Sequence, residues 1–594
     1  MKKYLKAHKY IFIISFNANK FLYVLNICLY ALVNFIPLIS LAVWSRIINN
    51  FEQNNELLIW TAIITYLIIA VISMLSNQIK SWASSIYKEK LRHCIDIEIM
   101  KKMYNVDASF IDNPDNAAMM DSIRWSSSYI YDGSTELVNT FTIALSFVSS
   151  LAVLIRHIPV LSIIFIFVCI PGSIISYIYE TKLSDFDFSN MPNHREKEYY
   201  KQILTGKAYA KELRLYNLAP HFKDKYLKVV NKLRKEKSKI YLKSASLKIL
   251  GLSISYLCIG VCIYFMALDV GVSMTLGTFA LCVGLLSNLE ERFRLLVTFV
   301  SLDNYYTVKH IVNYMDFMKS SVDIPDTGDL DVPEKISIKF SNVNFTYPGA
   351  DVPALKDLSF EIEAGKTVAL VGINGAGKTT IVKLLLRLYD IEEGNGDILI
   401  NGLPIKSYSL ESLRKTFSVC FQDINCYALS LRHNVALSSI GNAGQDDEIL
   451  DALKSSHFSE MKNLDVNLTR EFETDGQELS RGQWQKIAIA RAFFRKANFV
   501  ILDEPSSSLD AMAEADVFNF FNAICENKGG ILISHRLSGV MSVDEIILIE
   551  NGHIIEKGTH RQLIEKNNRY AELFAMQSER FIQGMEGAEN EKQV

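Results

Sequence analysis

The stretch Gly372-Ile373-Asn374-Gly375-Ala376-Gly377-Lys378-Thr379 follows an apolar run, Thr367-Val368-Ala369-Leu370-Val371, and opens a helical pattern that reaches about Tyr389. A strand, a G-x-x-x-x-G-K-[ST] loop and a helix in that order form a phosphate cradle. The glycines let the backbone curl so that successive N–H groups of 374–377 converge on phosphate oxygens, and the helix presents its positive N-terminus to them. Lys378 adds a point charge. The Thr379 hydroxyl is placed to ligate Mg²⁺, with Thr380 one position further along the same turn. The plain alternative is a tight glycine turn, and the surrounding sequence decides against it.

Working outward, a strand pattern from Ile336 leads to Phe345-Thr346-Tyr347-Pro348, where Tyr347 is a candidate platform for stacking a base. Phe417-Ser418-Val419-Cys420-Phe421-Gln422-Asp423 reads as a strand ending in an amide, Gln422, able to contact Mg²⁺ or water. Glu478-Leu479-Ser480-Arg481-Gly482-Gln483-Trp484-Gln485 opens another helix, with Ser480 in the N-cap position, so phosphate can also meet this helix start. The run Phe499-Val500-Ile501-Leu502 is apolar throughout, as a strand covered on both faces must be, and delivers Asp503 and Glu504 at its C-terminal end. Asp503 suits Mg²⁺ held through water, and Glu504 suits a base that polarises the attacking water. A further buried strand, 529–533, runs into Ser534-His535, with the histidine able to hydrogen-bond a γ-phosphate. Asn551-Gly552 between two apolar runs predicts a hairpin, and Thr559 caps a closing helix.

The other half of the chain is of a different kind. Over 594 residues, 49% are hydrophobic and net charge is −3; mean hydropathy is +0.14, with the apolar residues concentrated in the first half. Nothing in this balance suggests a nucleic-acid partner. Nine cysteines form no CxxC pair and read as reduced packing residues. Six segments, 21–43, 57–76, 137–155, 160–179, 247–268 and 275–295, approach the ~20 apolar residues that cross a bilayer. The connections near 49–56 and 269–274 lack Lys and Arg, whereas 77–136 and 181–246 are rich in both, which places those stretches and both termini in the cytosol. The basic stretches are too long for loops, so the spans should continue as helices beyond the bilayer, turning near Phe110–Pro114 and within 206–216. Glu290 and Glu291, late in the sixth segment, either face a cavity that favours cationic cargo or are neutralised locally, Glu290 by Arg294 four residues on. Asn26, Asn34 and Asn139 suit hydrogen bonds between helices. The resulting division is a transmembrane domain over 1–318, a Pro/Gly/Asp-rich linker over 319–335, an α/β nucleotide-binding domain over 336–580 and a polar tail over 581–594. The twenty residues before the first segment leave no room for a leader-cleaving protease domain, and no signal-peptide cleavage site follows that segment.

In order and wording, the motifs of the second half resemble the nucleotide-binding domain of ABC transporters along its whole length. That resemblance implies ATP and Mg²⁺ as ligands. It makes Tyr347 the A-loop aromatic, 372–380 Walker A, Gln422 the Q-loop, 479–483 the signature and 499–504 Walker B with Glu504 the catalytic glutamate. It further makes 507–510 the D-loop and His535 the switch histidine. Six spans ahead of one such domain look like a type I exporter half-transporter in the cytoplasmic membrane, with 110–120 and 207–217 near its coupling helices. A second half-transporter, identical or different, is the implied partner beside the lipid bilayer and the cargo. The wording around Ser480–Ala488 and Lys211–Leu215 is similar to bacterial peptide exporters of the lantibiotic type; lipid or drug export, and an ATP-gated channel or sensor, are the alternatives. Arg481 stands where the family usually has glycine.

Overall fold

The computed structural model describes residues 2–113, 116–301, 303–320, 326, 328–505, 511–525 and 528–577. Contacts divide the chain into two units, Met1–Asn105 with Asp115–Ser321, and Val106–Pro114 with Val322–Val594.

The first unit is all helical: α1 (Lys2–Ala18), α2 (Lys20–Glu52), α3 (Glu56–Asn105), then, after the excursion into the other unit, α5 (Ala117–His157), α6 (Pro159–Ser189), α7 (Met191–Thr205), α8 (Ala210–Leu215), α9 (Ala219–Asp269), α10 (Leu276–Ser301) and α11 (Asp303–Lys319). The helices α3 and α9 run for 50 and 51 residues, far more than a bilayer needs, so each continues as a charged amphipathic rod past its apolar stretch. Among the described residues, five helices, α2, α3, the 126–157 part of α5, α6 and α9, are long and apolar enough to cross a membrane. The sixth expected segment lies on α10, which falls outside that set because Glu290, Glu291 and Arg292 interrupt its apolar run.

Between lipid-soluble helices the hydrophobic effect gives little selectivity, so small residues and polar pairs do the joining. At the crossing of α6 and α9, a Cβ on Gly251 would lie 2.8 Å from Gly172 Cα, so any side chain there would force the helices apart. Asn34 of α2 donates to Thr142 Oγ1 at 2.7 Å and Asn139 Oδ1 at 3.3 Å on α5, while Arg292 of α10 donates to the Asn34 carbonyl at 2.7 Å. Ser84 donates to Asn26 Oδ1 at 2.7 Å, tying α3 to α2. Glu290 is 8% exposed, lies 4.0 Å from Arg294, and lines a cavity of about 260 Å³ with Lys248, Arg294, Ser173, Ser176 and Ser255. Glu291, in contrast, is exposed. The cavity therefore carries two cationic side chains beside its one carboxylate, and the simple expectation of an acidic pocket for cations needs this correction.

The second unit begins with α4 (Ala108–Asp112), capped by Asp107, whose carboxylate accepts from the Ser109 N–H at 2.6 Å. The helix preceding it stops at Asn105, earlier than Pro114 suggests, because the cap at Asp107 starts a new helix first. Ala108 packs on the core of this unit, and Asp112 accepts a hydrogen bond from the Tyr389 hydroxyl. Residues 106–114 are thus an amendment to a first domain drawn as 1–318.

Two sheets follow. The antiparallel one has the order β2-β1-β4-β5, with β1 (Ile338–Phe345), β2 (Leu355–Ile362), β4 (Asp397–Ile400) and β5 (Leu403–Pro404). The six-stranded one has the order β10-β9-β3-β8-β7-β6, formed by β3 (Thr367–Val371), β6 (Phe417–Cys420), β7 (Phe499–Asp503), β8 (Gly529–Ile533), β9 (Glu545–Glu550) and β10 (His553–Gly558). All its pairs are parallel except the edge hairpin β9–β10. Asn551 and Gly552 in that hairpin have φ of 53° and 84°, the positive values a two-residue turn of this kind needs. The helices α12 (Lys378–Leu385), α13 (Leu410–Thr416), α14 (Leu431–Ala436), α15 (Asp446–Ser455), α16 (Arg481–Phe494), α17 (Ala511–Cys525) and α18 (His560–Lys566) complete the unit. Strands β3, β7 and β8 are buried at every position, as their unbroken apolar sequences require. Because they are parallel and in register, their C-terminal ends at Val371, Asp503 and Ile533 lie side by side, and the loops leaving those ends build the site.

Candidate nucleotide site

The loop leaving β3 turns under tight backbone constraint. Gly372 has φ 151°, and a Cβ there would stand 2.1 Å from the Ile549 carbonyl oxygen; Gly377, the N-cap of α12 at φ 101°, leaves 2.7 Å to the Ala354 carbonyl oxygen. Only glycine fits either place. Lys378 is 5% exposed, and its ammonium donates to the carbonyls of Gly372 at 2.9 Å and Ile373 at 3.0 Å, closing the loop on itself. Burial lowers its pKa, while the charges of Glu504 and Asp503 oppose the shift. An ammonium held this way stays next to the curled N–H groups of 374–377 at the start of α12, where an anion is favoured by both charge and helix dipole.

Tyr347 is fixed on three sides. Its ring meets Phe345 edge-on with centroids 5.0 Å apart and Tyr389 at 5.2 Å, and its hydroxyl lies 3.0 Å from Thr380 Oγ1. Thr380 is buried, and this bond gives its hydroxyl a structural partner that the sequence did not suggest. The Lys383 ammonium sits 5.2 Å from the Tyr347 ring centroid.

Asp503 ends β7 fully buried, and among the described residues only the nearby Thr379 hydroxyl is close enough to lower its pKa as a donor, with no hydrogen bond of full geometry to either carboxylate oxygen. Burial pushes its pKa up to about 6; the Glu504 and Asp423 charges add to this, and the nearby Thr379 hydroxyl and Lys378 ammonium pull against it. A buried carboxylate so weakly partnered is costly unless a cation completes it. Asp503 beside Thr379 is therefore a donor set of the hard oxygen type that fits Mg²⁺.

Glu504 follows in the left-handed region, φ 51°, a conformation that costs of order 1–3 kcal/mol for a residue with a Cβ. The surrounding bonds impose it. Its N–H donates to the Ile533 carbonyl at 2.9 Å, and Gln485 of α16 donates to the carbonyls of Glu504 at 3.3 Å and Pro505 at 2.6 Å. The carboxylate accepts from Gln422 Nε2 at 2.9 Å and pairs with His535 Nε2. Three residues far apart in sequence, Gln422, Glu504 and His535, thus converge on one point.

One cavity of about 350 Å³ is lined by Tyr347, Asn374, Gly375, Ala376, Gly377, Lys378, Thr379, Thr380, Gln422, Glu504 and His535. Asp503 is not among these lining residues, and Gly372 supplies the carbonyl to Lys378. The helix start at Ser480, Gly482 and Gln483 is not among the lining residues. There Ser480 and Gln483 occupy each other in a capping box, Gln483 N–H to Ser480 Oγ at 3.3 Å and Ser480 N–H to Gln483 Oε1 at 2.8 Å, and Arg481 is exposed. The D-loop expectation, 507–510, falls outside the described residues.

Residues 355–507 match the family profile described as ABC transporter. The subtilin transport ATP-binding protein SpaT of Bacillus subtilis is 29% identical over 554 residues, 91% of this chain and 89% of its own length. The nisin transport ATP-binding protein NisT of Lactococcus lactis subsp. lactis is 28% identical over 566 residues, 92% of each chain. The chain is similar to ABC transporters. Its fold is similar to that of a solved bacterial Atm1-family ABC exporter with ATP bound, which superposes with a TM-score of 0.74 over 93% of this chain and 98% of that one at 20% identity. The ATP-dependent lipid A-core flippase of Escherichia coli (strain K12) is 39% identical, over 241 residues that make up 40% of this chain and 41% of that protein. These likenesses support an ATP-hydrolysing transport ATPase whose helical unit has several helices apolar enough to cross a membrane. Sequence reading assigned no role to Gln485, although it fixes the Glu504 backbone; its position one turn into α16 was visible, but its partner 19 residues on was not.

Proposed function

We propose that two such halves dimerise in the cytoplasmic membrane, with both termini in the cytosol, and bind ATP between them to export a peptide or peptide-like compound. The observation that carries the dimer is that the phosphate cavity lacks Ser480, Gly482 and Gln483 among its lining residues, so the signature of a second chain has to complete it. The 374–377 N–H groups and Lys378 would hold the phosphates, Tyr347 would stack adenine, and Thr379, Gln422 and Asp503 would hold Mg²⁺, which would supply charge neutralisation on the phosphates. Glu504 accepts the proton of the attacking water, and His535 and Gln422 hold that carboxylate and the water in place. Closure of the two ATPase domains then biases the helices between two arrangements.

Peptide cargo is favoured because the relatives that align over nearly the whole chain are named for subtilin and nisin transport, whereas the lipid A-core flippase aligns over 40% of it. The test is uptake of a labelled lantibiotic-type peptide into inverted vesicles holding the purified dimer. ATP-dependent accumulation above the external concentration is expected. Mere equilibration would indicate a channel, and movement of labelled lipid without peptide uptake would indicate a flippase.

Arg481 bears on whether the halves are identical. With the Ser480–Gln483 capping box intact and Arg481 pointing into solvent, the altered residue leaves the helix start undisturbed. The chain purified alone is expected to form a homodimer with robust ATPase, which Arg481→Gly leaves unchanged or lowers. An inactive homodimer that Arg481→Gly awakens would instead require a different partner carrying the intact signature.

A further inference from the structure

Beyond α18 the chain turns at Asn567 and forms a further helix over 569–577. Its first turns are fastened to the edge of the large sheet. Tyr570 is fully buried, its hydroxyl lies 2.9 Å from His560 Nδ1, its N–H donates to Glu556 at 3.0 Å, and Arg569 donates to Glu550 at 2.9 Å. Leu573 and Phe574 pack on the core beneath. So anchored, the helix delivers Gln577 to the loop that leaves β8.

There one side-chain amide makes two hydrogen bonds. Gln577 Nε2 donates to the His535 carbonyl at 2.6 Å, and Gln577 Oε1 accepts from the Leu537 N–H at 2.9 Å. The amide acts as a strand partner would, fixing residues i and i+2 of the loop. The intervening residue is held from the other side, since Ser534 Oγ accepts from the Arg536 N–H and donates to the Arg536 carbonyl, both at 3.0 Å. The backbone of 535–537 is thereby satisfied by Ser534 locally and by Gln577 across 42 residues. His535 in turn meets Glu504.

We propose that Gln577 is a positioning residue for hydrolysis, holding the His535 loop in the register that brings the imidazole to Glu504 and the γ-phosphate. This rests on the assignment of His535 to that role. Without the tether the loop keeps the Ser534 turn but loses both outer bonds, so His535 samples positions from which it does not reach Glu504. A misplacement of this size lowers turnover steeply while leaving the phosphate cradle untouched.

The test is steady-state ATPase of the full-length dimer carrying Gln577→Ala, with the neighbouring exposed Met576→Ala as control. The expected result is a fall in kcat of about tenfold with KM for ATP within about twofold and an unchanged melting temperature. Gln577→Glu keeps the acceptor for Leu537 but not the donor to His535, and should also lower kcat; it serves if the alanine variant fails to fold. In a His535→Ala background, followed by single-turnover hydrolysis, Gln577→Ala should cost nothing further, because the two act as one unit. Wild-type kcat in Gln577→Ala, or an equal loss with and without His535, would overturn the inference. If His535→Ala itself kept full turnover, the assignment of the histidine would fall instead.

Discussion

Glu504→Gln is expected to bind ATP normally and to lose hydrolysis by about 10²–10⁴-fold, the usual contribution of a positioned general base. The substitution keeps the shape of a side chain that accepts from Gln422 and pairs with His535, but removes the negative charge proposed to take a proton from water. Binding is spared because the cradle is built from 372–380 and Tyr347, which owe nothing to that charge beyond its long-range pull on Lys378. Equilibrium binding of a fluorescent ATP analogue, read beside phosphate release from the purified dimer, separates the two effects. Wild-type phosphate release would show that another group activates the water.

The second large effect is on binding. Lys378→Ala should weaken ATP by roughly 10- to 150-fold, the equivalent of the ~1.5–3 kcal/mol of a charge-assisted hydrogen bond. Two losses combine there. The ammonium is the buried charge nearest the curled loop, and it also links the carbonyls of Gly372 and Ile373, so the alanine variant lacks both the phosphate partner and the clasp that pre-shapes the loop. Lys383, over the Tyr347 ring, is engaged elsewhere and does not substitute. Titration of nucleotide against the detergent-solubilised variant checks this, and affinity within threefold of wild type would exclude Lys378 as the main phosphate contact.

Features set by local chemistry were legible in the chain. The Asn551-Gly552 turn, the Ser480 and Thr559 caps and the glycine loop of 372–377 each depend on the φ preferences or hydrogen-bonding reach of a few consecutive residues. The apolar strands were equally readable, since a strand covered on both faces leaves no polar position to hide it. The long helices α3 and α9 followed from charged stretches too long to be loops.

Tertiary structure alone decided matters that hinge on which distant groups meet. Gln422 and Glu504 are 82 residues apart, and only the parallel ordering of β6, β7 and β8 brings the amide to the carboxylate. The amendment at 106–114 has the same origin: a five-residue helix carries too little apolar surface to announce its neighbours, so its place beside Tyr389 appears only once the core exists. Glu290 illustrates the limit on charge. Its spacing from Arg294 was plain in the sequence, but Lys248, which changes the balance of the cavity, comes from another helix. A chain's own sequence specifies dihedral preferences and faces; pairings between faces are settled by packing the whole, where many small dispersion and hydrogen-bond terms select one arrangement.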